Sequence, residues 1–204
     1  MNNKIQYPKE RTLLIIKPDG VQRSLIGEII KRIERAGFKM VGIKIIIPSE
    51  ELVEKHYLVD PEWPQKTGQK SIDGYKKRGE KPPYENPVEY GQFILKKLVK
   101  YMSLGPVVAM VWQGHQSVGI VRKIVGGTEP LTSDVGTIRG DLTIDSYNLS
   151  DNNDRAVRNL VHASGHTDEA EKEIKVWFRD EELVNYRLLS EAMLYDVDLD
   201  GIKE

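Results

Sequence analysis

The sequence predicts an α+β fold in which a small antiparallel sheet carries helices on one face. Four apolar runs have the length of buried strands, and the segments between them space their apolar residues as helices do. Once the polar segments between these elements are set aside, their order is βαββαβ. No internal repeat or linker divides the 204 residues, so we predict a single domain, residues 1–204.

Strands are predicted at residues 12–16, 38–47, 106–112 and 159–162. The first run stops at Pro18 and Gly20, which punctuate secondary structure and leave Lys17 at the strand end. The second run ends before Pro48. The last run alternates polar and apolar residues, which is the period of a half-buried strand, and we expect it to end at His162.

Helices are predicted at residues 26–36, 50–55, 88–101, 117–125 and 167–178. Gly37 is a suitable C-terminal cap for the first of them, and Ser49 is a suitable N-cap for the second. Alternating strands and helices in this order predict a ferredoxin-like arrangement of the core.

Two segments interrupt the core pattern. Residues 59–87 are rich in proline, glycine and lysine without sustained periodicity, so we expect an excursion containing one short helix. Residues 142–157 are polar and rich in Asn and Asp, and we expect a second excursion there. Residues 126–140 have loop chemistry. Residues 179–204 form a tail with a weak helical signal near 183–193.

Composition and charge exclude several classes of function. The chain has no cysteine, which rules out disulfides, thiolate metal sites and cysteine nucleophiles. With only four histidines, the sequence does not indicate a histidine-rich metal site. The net charge of −1 gives no global basic field, so we expect no stable nucleic-acid partner. No apolar run approaches 18 residues and the N-terminus lacks a signal-peptide core, so we expect a cytoplasmic protein without membrane attachment.

His162 is the first candidate for chemistry. It follows a predicted strand and precedes a helix, where it could serve as base, metal ligand or nucleophile, or be a structural histidine. On that helix Glu173 falls on the same face as the apolar Ala170, Ile174 and Trp177. A buried carboxylate needs a donor, so Glu173 would hold one ring nitrogen and leave the other free to attack.

Cationic side chains at element ends indicate phosphate binding. Lys17, Arg122, Arg139 and Arg158 stand at element ends or in loops, where each could also be an ordinary surface charge. Thr128 adds a hydroxyl beside two glycines. The chain has neither a P-loop nor a kinase glycine loop, so phosphate would be bound without one.

Several motifs together resemble the nucleoside diphosphate kinase family, from about residue 10 to residue 178. The motifs are Glu10-Arg11-Thr12, Lys17-Pro18-Asp19-Gly20-Val21-Gln22-Arg23, Gly27-Glu28-Ile29-Ile30, Leu98-Val99-Lys100-Tyr101-Met102, Gly105-Pro106-Val107-Val108-Ala109-Met110, Gly136-Thr137-Ile138-Arg139-Gly140-Asp141, and residues 159–162 with Ser164 and 170–178.

The resemblance implies a role for each matching residue. His162 would be the nucleophile that carries the γ-phosphoryl group from a nucleoside triphosphate to a nucleoside diphosphate, with Glu173 orienting its imidazole. The resemblance also implies that Lys17 and Asn159 contact the ribose and that Lys17 reaches the phosphate. Arg122, Thr128 and Arg139 would contact phosphate. Tyr57 and Ser164 would be the hydroxyls that border the nucleophile, and Leu98 would line the base slot. Phe93 is the candidate for the stacking aromatic, with Trp63 or Tyr84 as substitutes.

The resemblance also implies a cofactor and an assembly. Mg²⁺ would be held mainly by the nucleotide phosphates, with no protein ligand assigned. Relatives are usually hexamers or tetramers built from dimers, so we expect a homo-oligomer. The sequence assigns no role to His115 and His166. It departs from the family at residues 163 and 165, where alanine and glycine replace the usual Gly and Asp of His-Gly-Ser-Asp, and this change loosens a solvent-mediated link to the metal.

Three other functions are compatible with parts of the sequence. The first is a phosphohistidine carrier or regulatory nucleotide-binding protein on the same fold. The second is a nucleic-acid-binding module that uses its sheet for stacking, although the strands here are aliphatic. The third is a hydrolase with His162 as general base. The two excursions either reshape the lid and subunit contacts or are surface decoration.

Overall fold

The computed structural model describes residues 9–195 and contains one four-stranded antiparallel sheet. Its strands are β1 (Arg11–Ile16), β2 (Lys39–Ile46), β3 (Val107–Gln113) and β4 (Val161–Ala163). Their order across the sheet is β2-β3-β1-β4, so β1 and β3 are central. The predicted α+β fold with a ferredoxin-like βαββαβ core is confirmed.

Ten helices accompany the sheet in the described part of the chain. They are α1 (Pro18–Gln22), α2 (Ile26–Glu34), α3 (Glu50–Tyr57), α4 (Trp63–Lys77), α5 (Pro87–Ser103), α6 (Ser117–Val125), α7 (Ile138–Leu142), α8 (Tyr147–Asn152), α9 (Thr167–Trp177) and α10 (Ser190–Tyr195). Short 3₁₀ turns lie at Pro130–Thr132 and Asp180–Glu182. Among residues 9–195, no helix combines the length and apolarity that crossing a membrane would require.

Both faces of the sheet are covered. The crossover helices α2 and α6 pack on one face, against Leu14 and Ile16 of β1. Helices α3, α5 and α9 pack on the other face, against Leu13 and Ile15. The crossover helices therefore share one face as predicted, and the additional helices cover the second. Burial on both sides explains why β1 and β3 are continuous apolar runs instead of alternating ones.

The last strand differs from its prediction. It runs Val161–Ala163 instead of 159–162, so His162 lies in its middle, opposite Ile15 of β1. The reason is Leu160, whose φ of +66° turns the chain out of extended conformation just before the strand begins. Its carbonyl accepts a hydrogen bond from the Lys17 amide at 2.8 Å, which joins the end of β1 to the start of β4.

The first excursion contains a 15-residue helix, α4, where the sequence predicted only a short one. The glycines of this segment suggested a loop. In the structure, Gly68 of α4 and Gly91 of α5 form the contact between the two helices. A Cβ atom on Gly68 would lie 1.8 Å from the Pro87 carbonyl oxygen, and one on Gly91 would lie 1.9 Å from that of Pro64. Glycine at both positions allows the two helix backbones to touch.

The other segments with loop chemistry also contain short helices. Thr137 caps α7 by accepting a hydrogen bond from the Gly140 amide at 3.0 Å, and Ser146 caps α8 in the same way. In the tail, the weak helical signal predicted near 183–193 corresponds to α10, which begins later, at Ser190. The remainder of the tail, residues 196–204, lies outside the described residues.

We predict that Gly68→Ala destabilises the protein. The added methyl would overlap a backbone carbonyl, so α4 must move away from α5, and overpacking of this kind costs about 1–3 kcal/mol of unfolding free energy. Chemical denaturation followed by circular dichroism measures the change.

Gly74→Ala is the matched control on the same helix, because its nearest neighbour would be the flexible Arg78 side chain at 3.8 Å. That variant should be stabilised by about 0.5–1 kcal/mol. Equal effects of the two substitutions would contradict the assigned glycine contact.

Candidate active site

A cavity of about 1320 Å³ opens between the end of β1, the α4–α5 pair and the loop after α6. Ten of the eleven predicted site residues line it: Lys17, Tyr57, Phe93, Leu98, Arg122, Thr128, Arg139, Asn159, His162 and Glu173. The eleventh, Ser164, is fully buried behind the cavity wall. The alternative aromatics Trp63 and Tyr84 line the cavity too, so three candidates for base stacking share it.

His162 is held at the cavity wall by β4, with 17% of its side chain exposed. Its Nε2 lies 2.8 Å from Glu173 Oε1, although the ring N–H is not aligned for a hydrogen bond. The other ring nitrogen, Nδ1, is the one left to react. Burial, with help from Lys17, lowers the pKa of His162 to about 3. The imidazole is therefore neutral at physiological pH, as a nucleophile must be.

Glu173 is fixed on both sides of its carboxylate. It lies on the buried face of α9, and its Oε2 accepts a hydrogen bond of 2.6 Å from the Ser164 hydroxyl. The Ser164 oxygen in turn accepts from the Leu13 amide at 3.1 Å. Burial raises the pKa of Glu173. Ser164 thus orients the carboxylate instead of bordering the nucleophile directly.

His56 is a site residue that the sequence analysis missed. Its ring contacts that of His162 edge-on, with centroids 4.3 Å apart, and its Nδ1 lies 3.6 Å from Glu173 Oε1. Burial lowers the pKa of His56 to about 3. A single histidine near the end of a short helix rich in charged residues gives no sequence signal, because only the packing of α3 against α9 brings it to the cavity.

The two imidazoles and the carboxylate have the spacing of a metal centre, with donor atoms within 4.8 Å of one another. Lys17, Arg122 and Arg139 line the same cavity and would repel a cation placed directly there. The arrangement suits an oriented neutral imidazole better than a resident metal ion.

Lys17 is buried, with 5% exposure, and donates a hydrogen bond of 2.8 Å to Asn159 Oδ1. Asn159 donates from its amide nitrogen to the Thr128 carbonyl at 2.8 Å, so one chain of contacts joins three of the predicted residues. Burial, followed by the neighbouring Arg139, lowers the pKa of Lys17 to about 7. An incoming anion would restore the favoured charged form.

Arg139 uses most of its donors within the protein. Its Nε donates to the Asn159 carbonyl, its Nη1 to those of Gly126 and Gly127, and its Nη2 to that of Val161, at distances of 2.6 to 3.1 Å. A guanidinium has five N–H groups, so one remains for a ligand. Burial lowers the pKa of Arg139 to about 10. Arg139, the predicted phosphate contact, therefore also holds together the main-chain segments that form the floor of the cavity.

The fourth candidate cation does not join the cavity. Arg158 is exposed and lines a separate shallow depression, and its amide donates to Asp145 at 2.6 Å. Tyr57 does reach the cavity, where burial raises its pKa above the ordinary value, so its hydroxyl stays protonated.

Side chains from the two excursions meet across the cavity mouth. The Tyr75 hydroxyl of α4 donates a hydrogen bond of 2.6 Å to Asp151 of α8. Lys97 of α5 pairs with Asp154 at 2.7 Å and lies over the Phe93 ring, 4.4 Å from its centroid. The two segments that the sequence set apart from the core therefore form opposite walls of the site, joined by the hydrogen bond from Tyr75 to Asp151. The pair of Lys97 and Asp154 joins the second of them to α5.

Comparison with known proteins identifies relatives of this chain. The family model described as nucleoside diphosphate kinase matches residues 10–67 and 75–183, leaving out 68–74 within α4. A nucleoside diphosphate kinase from Pyrobaculum aerophilum is 49% identical over 181 residues, which cover 87% of this chain and 99% of that protein. The crystal structure of an NDP kinase from the same organism has a TM-score of 0.83, at 48% identity, and the match covers 87% of this chain and 100% of that one.

Another similar structure contains ligands. It is a transition-state mimic of the nucleoside-diphosphate kinase from Borrelia burgdorferi with bound vanadate and ADP, at 35% identity and a TM-score of 0.75, covering 90% of this chain and 95% of that one. The family match includes the cavity residues from Lys17 to Glu173, apart from those that residues 68–74 contribute. The chain belongs to the nucleoside diphosphate kinase family.

Proposed function

We propose that the protein transfers the γ-phosphoryl group of a nucleoside triphosphate to a nucleoside diphosphate through a phosphohistidine at His162. The observation that carries this proposal is the placement of a neutral, carboxylate-oriented imidazole in the same cavity as Lys17, Arg122 and Arg139. Nucleophile and cations are thus positioned to act on one phosphate.

The reaction proceeds in two displacements. Nδ1 of His162 attacks the γ-phosphorus of the triphosphate, and the bond from that phosphorus to the bridging oxygen breaks, which releases a nucleoside diphosphate. The terminal oxygen of a second diphosphate then attacks the phosphohistidine and restores the free imidazole. Because both steps use one site, ping-pong kinetics follow. Glu173 stabilises the positive charge that develops on the ring, since its Oε1 lies beside Nε2.

The cationic side chains supply most of the electrostatic stabilisation. Negative charge spreads over the equatorial oxygens of a phosphoryl group in flight, and cations preorganised in a partly dry cavity act strongly on it. Lys17 is held by Asn159, and Arg139 by four carbonyls, so neither must reorganise during transfer.

The site fits Mg²⁺ bound through the substrate. The described residues that line the cavity offer several cations for phosphate and, near the nucleophile, the carboxylate of Glu169 as an oxygen donor. Mg²⁺ keeps several waters and is usually held by one or two carboxylates together with substrate phosphates. When bound, it would neutralise charge on the phosphates.

The nucleobase would enter beside Leu98 and the aromatic side chains of the excursion wall. Phe93, Trp63 and Tyr84 all line the cavity, and we retain Phe93 as the stacking residue. Stacking and apolar contact accept any base, because every base has a π-face. A broad nucleotide range is expected.

We also propose a homo-oligomer that uses the β2 edge of the sheet. β2 pairs only with β3 in the described sheet. Ile43 and Ile45 on it are 49% and 63% exposed, and Ile47, directly after it, is 71% exposed. Beyond Val41, whose carbonyl accepts a hydrogen bond from the Val184 amide, this edge strand with its exposed isoleucines is a ready surface for a second copy. The hexamer, or the tetramer of dimers, remains a prediction, as does the cytoplasmic location.

The other functions are less well supported. A carrier or regulator on the same fold would not need the complete set of Lys17, Arg122, Arg139, Asn159 and His162, all of which line one cavity. A nucleic-acid platform needs an open sheet face, and both faces are covered. A hydrolase would release phosphate without an acceptor diphosphate.

The labelling of His162 tests the function directly. Protein incubated with γ-labelled ATP and Mg²⁺ should acquire an acid-labile, base-stable label that unlabelled GDP removes. His162→Ala should acquire none, because both ring nitrogens of the neighbouring His56 are buried. The exposed His115→Ala is the matched control and should label and discharge as the wild type does. Label that forms but never transfers would support the carrier, and free phosphate the hydrolase.

The protonation state of His162 can be measured separately. Because burial holds its pKa at about 3, its imidazole ¹⁵N shifts should remain those of the neutral ring from pH 8 down to 5. An unperturbed histidine would be half protonated near pH 6.5. A midpoint above pH 6 in the nucleotide-free protein would contradict the proposed neutral nucleophile.

We further propose that the bridge from Tyr75 to Asp151 retains nucleotide by joining the two cavity walls. Tyr75→Phe removes only the hydroxyl and should speed nucleoside diphosphate release about two- to fivefold, the effect of losing an exposed hydrogen bond of roughly 0.5–1 kcal/mol. Stopped-flow displacement of a fluorescent GDP measures release.

The control for this experiment is Tyr84→Phe, on the same wall, for which we expect no change in release. Equal release rates for Tyr75→Phe and the wild type would mean that the excursions do not retain nucleotide. An equal acceleration in both variants would point to general loosening of the wall.

A further inference from the structure

Gly165 lies three residues after the nucleophile, and the space beside its Cα atom is occupied by the side chain of another residue. A Cβ atom on Gly165 would lie 2.4 Å from Glu169 Oε2, so the carboxylate fills the space where a side chain at position 165 would begin. The Gly165 amide donates a hydrogen bond of 2.8 Å to the same oxygen. Glu169 is therefore folded back from the first turn of α9 over the loop that follows His162.

This carboxylate faces the cavity of the nucleophile. Glu169 lines it together with His162 and Arg122, and its charge raises the pKa of His162 against the larger effects of burial and Lys17. The Arg122 guanidinium lies 3.8 Å from the same Cβ position. Glu169 is therefore near both the reacting nitrogen and a phosphate-binding cation.

A carboxylate at this place needs a cation when substrate is bound. Nucleoside triphosphates bring several negative charges into the cavity, and an unpaired carboxylate beside them weakens binding by repulsion. No ion pair joins Glu169 to Arg122 within residues 9–195 at the usual distance, and its Oε1 has no hydrogen-bond partner there. A divalent cation on the phosphates, with its shell of water, would convert the repulsion into attraction.

We propose that Glu169 is a positioning residue for the magnesium–nucleotide complex and takes the place of the aspartate that the family resemblance implies at position 165. The proposal rests on the proposed function. The loss of aspartate at position 165, which the sequence analysis took as a weakened link to the metal, is then compensated by a carboxylate delivered from the helix to the same volume.

Glu169 could instead serve only the helix. An acidic residue in the first turn of α9 that accepts a backbone hydrogen bond stabilises the helix start in any case. The two roles differ in whether the negative charge of Glu169 strengthens metal binding. Glu169→Gln keeps an oxygen that can accept from the Gly165 amide but removes the charge, so a pure capping residue would leave metal binding unaltered.

The experiment measures Mn²⁺ affinity, by electron paramagnetic resonance, in the complex of the full chain with ADP. Removing a supporting carboxylate weakens metal binding about tenfold, and we expect this loss for Glu169→Gln and for Glu169→Ser. The decisive variant is the exchange Gly165→Asp with Glu169→Ser, which moves the carboxylate to the loop. Gly165 does not lie in the left-handed region, so its backbone accepts aspartate, and the vacated volume receives it.

Loss of affinity in Glu169→Gln with recovery in the exchange variant supports the proposal. Unchanged affinity in Glu169→Gln overturns it and leaves the capping role. Loss without recovery also overturns it, because position 165 and Glu169 would then not be equivalent. The readout is independent of phosphotransfer: if the wild type forms no phosphohistidine, the proposed function fails, whereas Mn²⁺ affinity in the ADP complex still decides the role of Glu169.

Discussion

The hydrogen bonds of Arg139 to four main-chain carbonyls hold together the part of the molecule on which the site depends. They connect the loop at Gly126 and Gly127 to Asn159 and Val161, on either side of the left-handed Leu160. A branched-chain residue with φ of +66° stores strain of roughly 1–2 kcal/mol and persists only when its surroundings determine it. The buried guanidinium provides those surroundings. As a consequence, Asn159 reaches Lys17 while His162, three residues later, faces the same cavity.

Burial of charged and titratable groups is the second constraint. The same desolvation keeps His162 neutral, lowers the pKa of Lys17 to about 7 and raises that of Glu173. Each shift favours the uncharged form of the group concerned. An anionic substrate reverses this balance for Lys17, because the favourable interaction with phosphate restores its proton. Substrate binding and the protonation of Lys17 are thereby coupled without a change of fold.

Much of this arrangement could be predicted from sequence, and the parts that could not share one cause. The apolar runs, the caps at Ser49 and the buried face that carries Glu173 are local patterns, and the structure contains all three. His56 and the contact of Gly68 with α5 depend on which elements pack together, which no local pattern contains. Leucine rarely adopts the left-handed conformation that Leu160 has. The sequence pattern therefore predicted a strand at this residue, but tertiary contacts hold it in a turn.

The segment that the family model leaves out, residues 68–74, lies on the wall of the cavity, whereas the matched ranges include its floor. The floor consists of Lys17, Asn159, Arg139 and His162, whose contacts are interlocked, so a change in one disturbs the others. The walls are supplied by α4, α5, α8 and the first turn of α9, and of these α5 and α9 contribute buried residues to the hydrophobic core. A segment absent from the family match can therefore be accommodated within α4, and a carboxylate can reach the cavity from helix or loop, without altering the geometry of phosphoryl transfer. In this molecule the interlocked floor fixes the chemistry and leaves the walls free to vary.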